Sequence, residues 1–355
     1  MEESIMSYTT PASGKADTRY LSLLSVIACL SVVILHTNNC FWRFSSTEFY
    51  WKTANLVESL FYYAVPVFFM ISGATLIDYP QRYSTLDFFR KRLTKTLIPF
   101  VFWSLAGLAF SIWVLGSVDP ATVGKRFLIN SVADAQIVTY YWFFPRLFRA
   151  YLSIPLLAAV DRTRRKEVFT YLAVAGYLIN VLIPFVNSYF ALELSFPLVI
   201  YGAYRYSLYL IVGYLLATYE CSKGWTYAIY GGAAAAFLIH MAGTYFGSME
   251  AGAVVRTFKD QIVDVPYAAG VFLFLKRNGN RLMEGIVGKI VDVLKNYTFA
   301  IYLLHWFVIQ GMKHFLVFDD TSLVYRLGGV LVIAPVCILV AKILRKIPMT
   351  KYLVP

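Results

Sequence analysis

The chain has 355 residues, of which 59% are hydrophobic and 15% charged, with a positive mean hydropathy. A soluble domain carries about 25% charge, so the composition excludes one and describes a protein that lies almost wholly in a bilayer. The formal charge of +12 does not point to nucleic acid, because the basic residues flank apolar spans, where they orient the chain and meet anionic lipid.

Residues 1–18 are polar and lack the charged, apolar and small-residue regions of a signal peptide, so they read as a short cytoplasmic tail. Residues 19–346 read as one transmembrane domain and 347–355 as a second cytoplasmic tail. Hydrophobic run length predicts ten spans, roughly 20–37, 55–77, 94–115, 137–160, 168–186, 205–219, 226–243, 261–276, 296–315 and 322–344. The fold class is therefore an all-α polytopic bundle of about ten transmembrane helices. With the N-terminus inside, the inner loops hold most of the cations, among them Arg82, Arg90, Lys91, Arg92, Arg162, Arg164 and Arg165. The outer set (Arg43, Lys52, Lys125, Arg126, Arg205, Arg256, Lys259, Lys313 and Arg326) is much smaller, which supports both termini inside. Cys29, Cys40, Cys221 and Cys337 show neither CxxC nor metal-ligand spacing, and two of them lie in apolar runs.

The first span, within Tyr20–Cys40, carries His36 near its far end, roughly 24 Å along the helix from Tyr20. A free imidazole is costly in lipid, so His36 belongs in a bundle interior or wet cavity, or else at headgroup level. In the second span Pro66 predicts a kink, and Ser72 and Gly73 permit close helix approach. The basic stretch that follows, FFRKRLTKTLIP, is either an ordinary positive-inside loop or a phosphate clamp, since guanidinium forks bind phosphate bidentately. The fourth span places Arg146 and Arg149 roughly 13 and 18 Å from its outer end at Ile137. An arginine at such depth needs a polar partner, which favours a cavity over snorkelling. The ninth span holds His305 near mid-bilayer, either as a hydrogen-bonded packing residue or as part of a site. Glu58, Glu193, His240, Asp264 and His314 lie at span ends or outer loops, and no spacing among them singles out a metal site.

Five landmarks follow in order: VVILH ending at His36, VPVFFMISGATL, the basic stretch ending at Pro99, YYWFF…YLSIPLL, and TFAIYLLHWF. Together they resemble the membrane acyltransferase family 3, bacterial proteins that O-acetylate cell-surface carbohydrates. The resemblance covers Tyr20 to about Ile309. It implies a multi-pass enzyme of the bacterial inner membrane that moves an acyl group, most simply acetyl, from cytoplasmic acyl-CoA to a carbohydrate hydroxyl. The bilayer, acyl-CoA and a glycan are its implied partners, and no nucleic acid or permanently bound cofactor is implied. On this resemblance His36 is the catalytic base or acyl carrier. Arg90, Arg92, Lys95 and Ser72 bind the donor, and Trp142, Arg146, Tyr302 and His305 bind substrate.

The chain departs from the family pattern where an arginine usually precedes the histidine by eleven residues, because that position is Ser25. Lys95 likewise stands where a second arginine is common. Arg149, estimated at a similar depth to Ser25, is the expected substitute and a second catalytic candidate. Two other readings stay open from the residues alone: a polytopic glycan or solute carrier, and a catalytically impaired family member acting as an assembly partner.

Overall fold

The computed structural model describes residues 18–193, 198–259 and 261–355, so the expected N-terminal tail lies outside them apart from Thr18. Among the described residues the chain is helical and carries no strand. Each predicted span coincides with a helical stretch. In chain order these are α1 Arg19–Thr37, α2 Phe49–Gln81, α3 Thr85–Trp113, α4 Phe143–Ala158 and α5 Arg165–Tyr189. There follow α6 Tyr206–Thr218, α7 Lys223–Ala251, α8 Gln261–Leu282, α9 Thr298–Phe315 and α10 Leu323–Lys346.

Six of these, α1, α2, α3, α5, α7 and α10, are long and apolar enough to cross a membrane. The other four fall short for identifiable reasons. Helices α4 and α6 have 16 and 13 residues. Helix α8 carries Asp264, Lys276 and Arg277, and α9 ends in Gln310, Lys313 and His314. Helix α6 is short but enclosed: Leu208, Leu210 and Ile211 are all fully buried, and Tyr209 and Tyr214 nearly so. A helix apolar all round belongs in the middle of a bundle, where neighbouring helices rather than lipid set its length.

Proline shapes three of the stretches. Helix α2 breaks at Tyr62 and Tyr63, just ahead of Pro66, because a proline ring clashes with the carbonyl four residues back. In α3 the strain is absorbed differently. A Ser84-capped α-helical turn over Thr85–Arg92 passes into a wide π-turn at Leu93–Leu97, immediately before Pro99. Helix α5 repeats the device, with a π-turn at Leu178–Leu182 before Pro184. Such turns cluster at functional sites, and the first of them carries Lys95.

The tightest crossing joins α2 to α6. A Cβ added to Gly73 would lie 2.0 Å from the Leu210 carbonyl oxygen, and one added to Gly213 would lie 2.1 Å from that of Met70. Each helix thus presses its backbone into the other's glycine, as small residues allow in membranes. Gly73→Ala is expected to cost about 1–3 kcal/mol or more, because backbone rather than a flexible side chain must give way. Gly231→Ala, where nothing lies within 4 Å, serves as the control. Thermal denaturation midpoints of the detergent-purified variants check this, and equal midpoints for the two would contradict the crossing.

After α10 the chain folds back onto the bundle. The Trp103 indole donates to the Leu353 carbonyl at 2.8 Å, Arg345 donates to the Val354 carbonyl at 2.9 Å, and Val354 is fully buried. The C-terminal segment is therefore docked on the bundle over its last residues.

Candidate functional site

His36 stands in the last turn of α1 and is half-buried. Its Nδ1 lies 2.7 Å from Nε2 of His305, which is fully buried on α9. On the other side of the His305 ring, Nδ1 faces two main-chain carbonyls of its own helix, Tyr302 at 2.7 Å and Ile301 at 3.1 Å. Carbonyls only accept, so His305 carries its proton on Nδ1 and presents an Nε2 lone pair. His36 must then donate from Nδ1, which leaves His36 Nε2 with a free lone pair. The tautomers follow from the hydrogen-bond partners. One helix backbone thereby sets the proton position on a residue 269 places away in sequence.

Tyr140 completes the pair's surroundings. Its ring stacks on His36 with centroids 3.6 Å apart and planes within 3°. The stack is held from below by a turn pinned twice to α9. The Tyr302 hydroxyl donates to the Tyr140 carbonyl at 2.6 Å, and the Tyr141 hydroxyl donates to the Leu303 carbonyl at 2.5 Å. Thr139–Trp142 is a 3-10 turn, so α4 begins at Phe143 rather than near Ile137. The aromatic doublet of YYW thus buttresses both histidines. The sequence displayed this doublet inside one landmark, but nothing in it singled out Tyr140.

A cleft of about 480 Å³ is lined by Ser111, Gln136, Thr139, Trp306, Gln310 and Lys313 among others. Thr139 precedes Tyr140 and Trp306 follows His305, so the cleft reaches the neighbours of both rings. Its lining mixes hydroxyls, amides, an indole and the Lys313 ammonium, a set that hydrogen-bonds and stacks on a polar ring.

The basic stretch lies elsewhere, at the start of α3. Arg90 and Lys95 are exposed, whereas Arg92 is half-buried. The Arg92 guanidinium carbon sits 5.6 Å from the Tyr151 ring centroid and 5.8 Å from that of Phe88. Its Nε is buried without a hydrogen-bond partner. An orphaned donor on a held guanidinium suits an arriving anion, since an unpaired buried polar group is costly.

The remaining expected site residues are spread more widely. The Ser72 hydroxyl donates to the Phe68 carbonyl at 2.9 Å, so its proton is committed to its own helix. Arg146 donates to the Trp142 carbonyl at 2.7 Å and stacks over that indole at 4.5 Å, a contact within one helical turn. Tyr302 is bound to the Tyr140 turn and its ring lies 5.7 Å from that of His305.

Arg149 corrects an expectation. It is exposed, on the face of α4 that also exposes Leu152 and Leu156, while Phe144, Leu147, Tyr151 and Ile154 are buried. Two residues of helix separate Arg149 from Leu147 and from Tyr151, which sets it roughly 160° round from the packed face. The stripe of α1 beneath His36 is occupied by apolar packing. Cys29 and Val33, below His36 on the same stripe, pack in one apolar cluster with Ile301 and Leu304. Residue counting from Ile137 gave no direction around the helix, and direction is what sets Arg149 on the exposed face.

Two further residues at the end of α1 went unremarked in the sequence. Asn38 caps α1, and Arg326, counted only as an outer cation, is 1% exposed. An arginine inside the last long apolar run was the available signal. Among the described residues no three His, Cys, Asp or Glu side chains gather as a metal-holding group.

A family model described as an acyltransferase domain matches residues 18–342, nearly the whole chain. No curated protein and no solved structure matches.

Proposed function

The chain belongs to the membrane acyltransferase family 3, and from that premise we propose that it transfers an acyl group, most simply acetyl, from cytoplasmic acyl-CoA to a hydroxyl of an envelope or exported glycan. The observation that carries the reading is the His36–His305 pair, in which a half-buried imidazole is held with one nitrogen donating and the other bearing a free lone pair. In this reading all ten helical stretches lie in the bacterial inner membrane and both termini are cytoplasmic.

A hydroxyl is a poor nucleophile at neutral pH, and a positioned imidazole is suited to take its proton as it attacks. His36 Nε2 removes the proton while the hydroxyl oxygen bonds to the thioester carbonyl carbon. The carbon–sulfur bond then breaks, and the imidazolium returns the proton to the departing thiolate. The charge that His36 carries between these steps is met by a charge-assisted hydrogen bond from Nδ1 to His305 Nε2. The Tyr140 face supports it, because an aromatic face attracts a cation. Arg92, with Arg90 and Lys95, holds the phosphates of the donor, and the cleft beside Trp306 takes the acceptor. Arg149 has no role in this scheme.

The test is covalent. Membranes or reconstituted protein supplied with labelled acetyl-CoA should release CoA thiol and leave alkali-labile label on the acceptor glycan; a carrier leaves neither. Arg92→Ala should raise the donor KM about tenfold or more, the scale on which one charge-assisted contact operates. Added salt should weaken donor binding in the wild type and less so in the variant. A donor KM unchanged by Arg92→Ala returns the stretch to a purely topological role.

A further inference from the structure

Two residues beyond His36, the end of α1 meets a buried cation that the proposed chemistry does not use. Arg326, in the first turns of α10, is 1% exposed. Its Nε donates to the Thr321 carbonyl at 2.9 Å, one terminal nitrogen to Asn38 Oδ1 at 3.2 Å, and the other to Thr53 Oγ1 at 2.7 Å. Its own carbonyl accepts the Thr37 hydroxyl at 2.7 Å. These partners are neutral oxygens. A guanidinium placed in such surroundings is costly, and each of its bonds is correspondingly hard to give up.

The bonds converge on the turn that carries the histidine. Thr37 and Asn38 are the two residues directly after His36, and both are held by Arg326, one through its backbone and the other through its side chain. Asn38 is then braced from the opposite side, its amide donating to the Ala54 carbonyl of α2 at 2.9 Å. Its backbone N–H closes α1 onto the Ile34 carbonyl at 2.9 Å. Helix α1 ends in a positively charged clamp, which also suits the negative end of a helix dipole. His305 and Tyr140 fix the imidazole from the ring side; nothing in those two contacts fixes the height or rotation of the backbone that bears it. The Arg326 clamp does.

We infer that Arg326 is a positioning residue for His36, acting through Asn38 and Thr37 to hold the last turn of α1 in register with His305 and Tyr140. The planar fork is required because three separate elements are bridged at once, and lysine, with one charged nitrogen on a flexible stem, cannot reproduce that geometry. This rests on the reading of His36 as the working imidazole.

The experiment compares Arg326→Lys, Arg326→Met and Asn38→Ala with wild type, using purified, monodisperse protein normalised to folded material. Two readouts are taken: steady-state kinetics, and the rate at which diethyl pyrocarbonate modifies His36, followed by peptide mass spectrometry. A displacement of about 1 Å at a reacting group can cost about 100-fold in rate. The expected result is therefore a 10- to 100-fold fall in kcat with either KM changed less than about threefold, and a His36 modification rate altered several-fold in the same variants. A role confined to folding lowers yield and thermal midpoint but leaves kcat per folded molecule intact, and that result overturns the inference. So does an Arg326→Lys variant with wild-type kcat, since charge alone would then suffice. If neither Arg326 variant folds, Asn38→Ala decides, because it severs the guanidinium's link to α1 while leaving the guanidinium and the Thr37 bond to the Arg326 carbonyl in place. Should wild type transfer no acyl group, the reaction assigned above fails. The modification rate still judges the positioning claim, which is overturned if that rate is unchanged.

Discussion

His36→Ala is expected to abolish acyl transfer, with ester on the acceptor glycan falling to background and the protein still inserted and folded. The expectation of folding comes from the site: His36 is only half-buried, and the apolar packing of α1 against α9 rests on Cys29 and Val33 below it. The expectation of inactivity comes from the tautomer chain. With the Tyr302 and Ile301 carbonyls fixing the proton on His305, and His305 fixing the proton on His36, the lone pair at His36 Nε2 has no other assignment in the pair. A general base of this kind contributes about 10²- to 10⁴-fold, and a residue that also returns the proton to the leaving thiolate lies at the upper end. The check is alkali-released acetate per folded enzyme. A residual rate above about one hundredth of wild type, the lower bound for such a base, removes His36 from the chemistry. The same assay separates direct transfer from an acyl-histidine route, because only the latter leaves labelled acyl group on the enzyme when the acceptor is withheld and the reaction is quenched.

Much of the scaffold was legible because run length and proline position are local properties. Helical stretches fall where the apolar runs fall, six of them long and apolar enough to cross a membrane, and Pro66 and Pro99 mark real departures from regular helix. The close approach at Gly73 was legible as a small residue in an apolar run, though its partner, the backbone of Leu210, was not. What the sequence left hidden is relational. His36 and His305 were each singled out, yet their 2.7 Å contact bridges 269 residues and leaves no trace in spacing. Arg149 failed for a related reason. Rise per residue gives depth along a helix, but the rotation that turns a side chain inward or outward is set by which neighbours the other residues of that helix pack against. Beginning α4 at Phe143 with Phe144 and Leu147 buried commits Arg149 to the outer face. Arg326 shows the opposite error, a residue assigned to topology by its charge that the fold encloses completely. Tyr140 was hidden by abundance, being one of 27 tyrosines and distinguished only by the ring it covers.

His305→Phe is expected to lower kcat by about 10- to 100-fold while leaving both KM values close to wild type. Phenylalanine keeps a planar ring of similar volume in a site that is fully buried and flanked by Tyr302 and Trp306, so packing changes little. What it removes is the acceptor at Nε2. His36 Nδ1–H then faces an apolar ring, and an unpaired buried donor costs about 1–3 kcal/mol, which at about 1.4 kcal/mol per tenfold sets the range. Part of that cost is avoided if the imidazole moves its proton to Nε2, but that tautomer has no lone pair where the hydroxyl arrives, so the rate is lost either way. His305→Gln makes the sharper comparison. Its side-chain oxygen can accept from His36 Nδ1, although it cannot also donate to the Tyr302 carbonyl through the same group, and a partial return of kcat is expected. A side chain that merely filled space would give the reverse order, with phenylalanine near wild type and glutamine the more damaging because it buries an amide. Single-turnover rates at saturating donor, measured for the two variants side by side, decide between these orders. Phenylalanine matching wild type ends the case for a proton held between the two histidines.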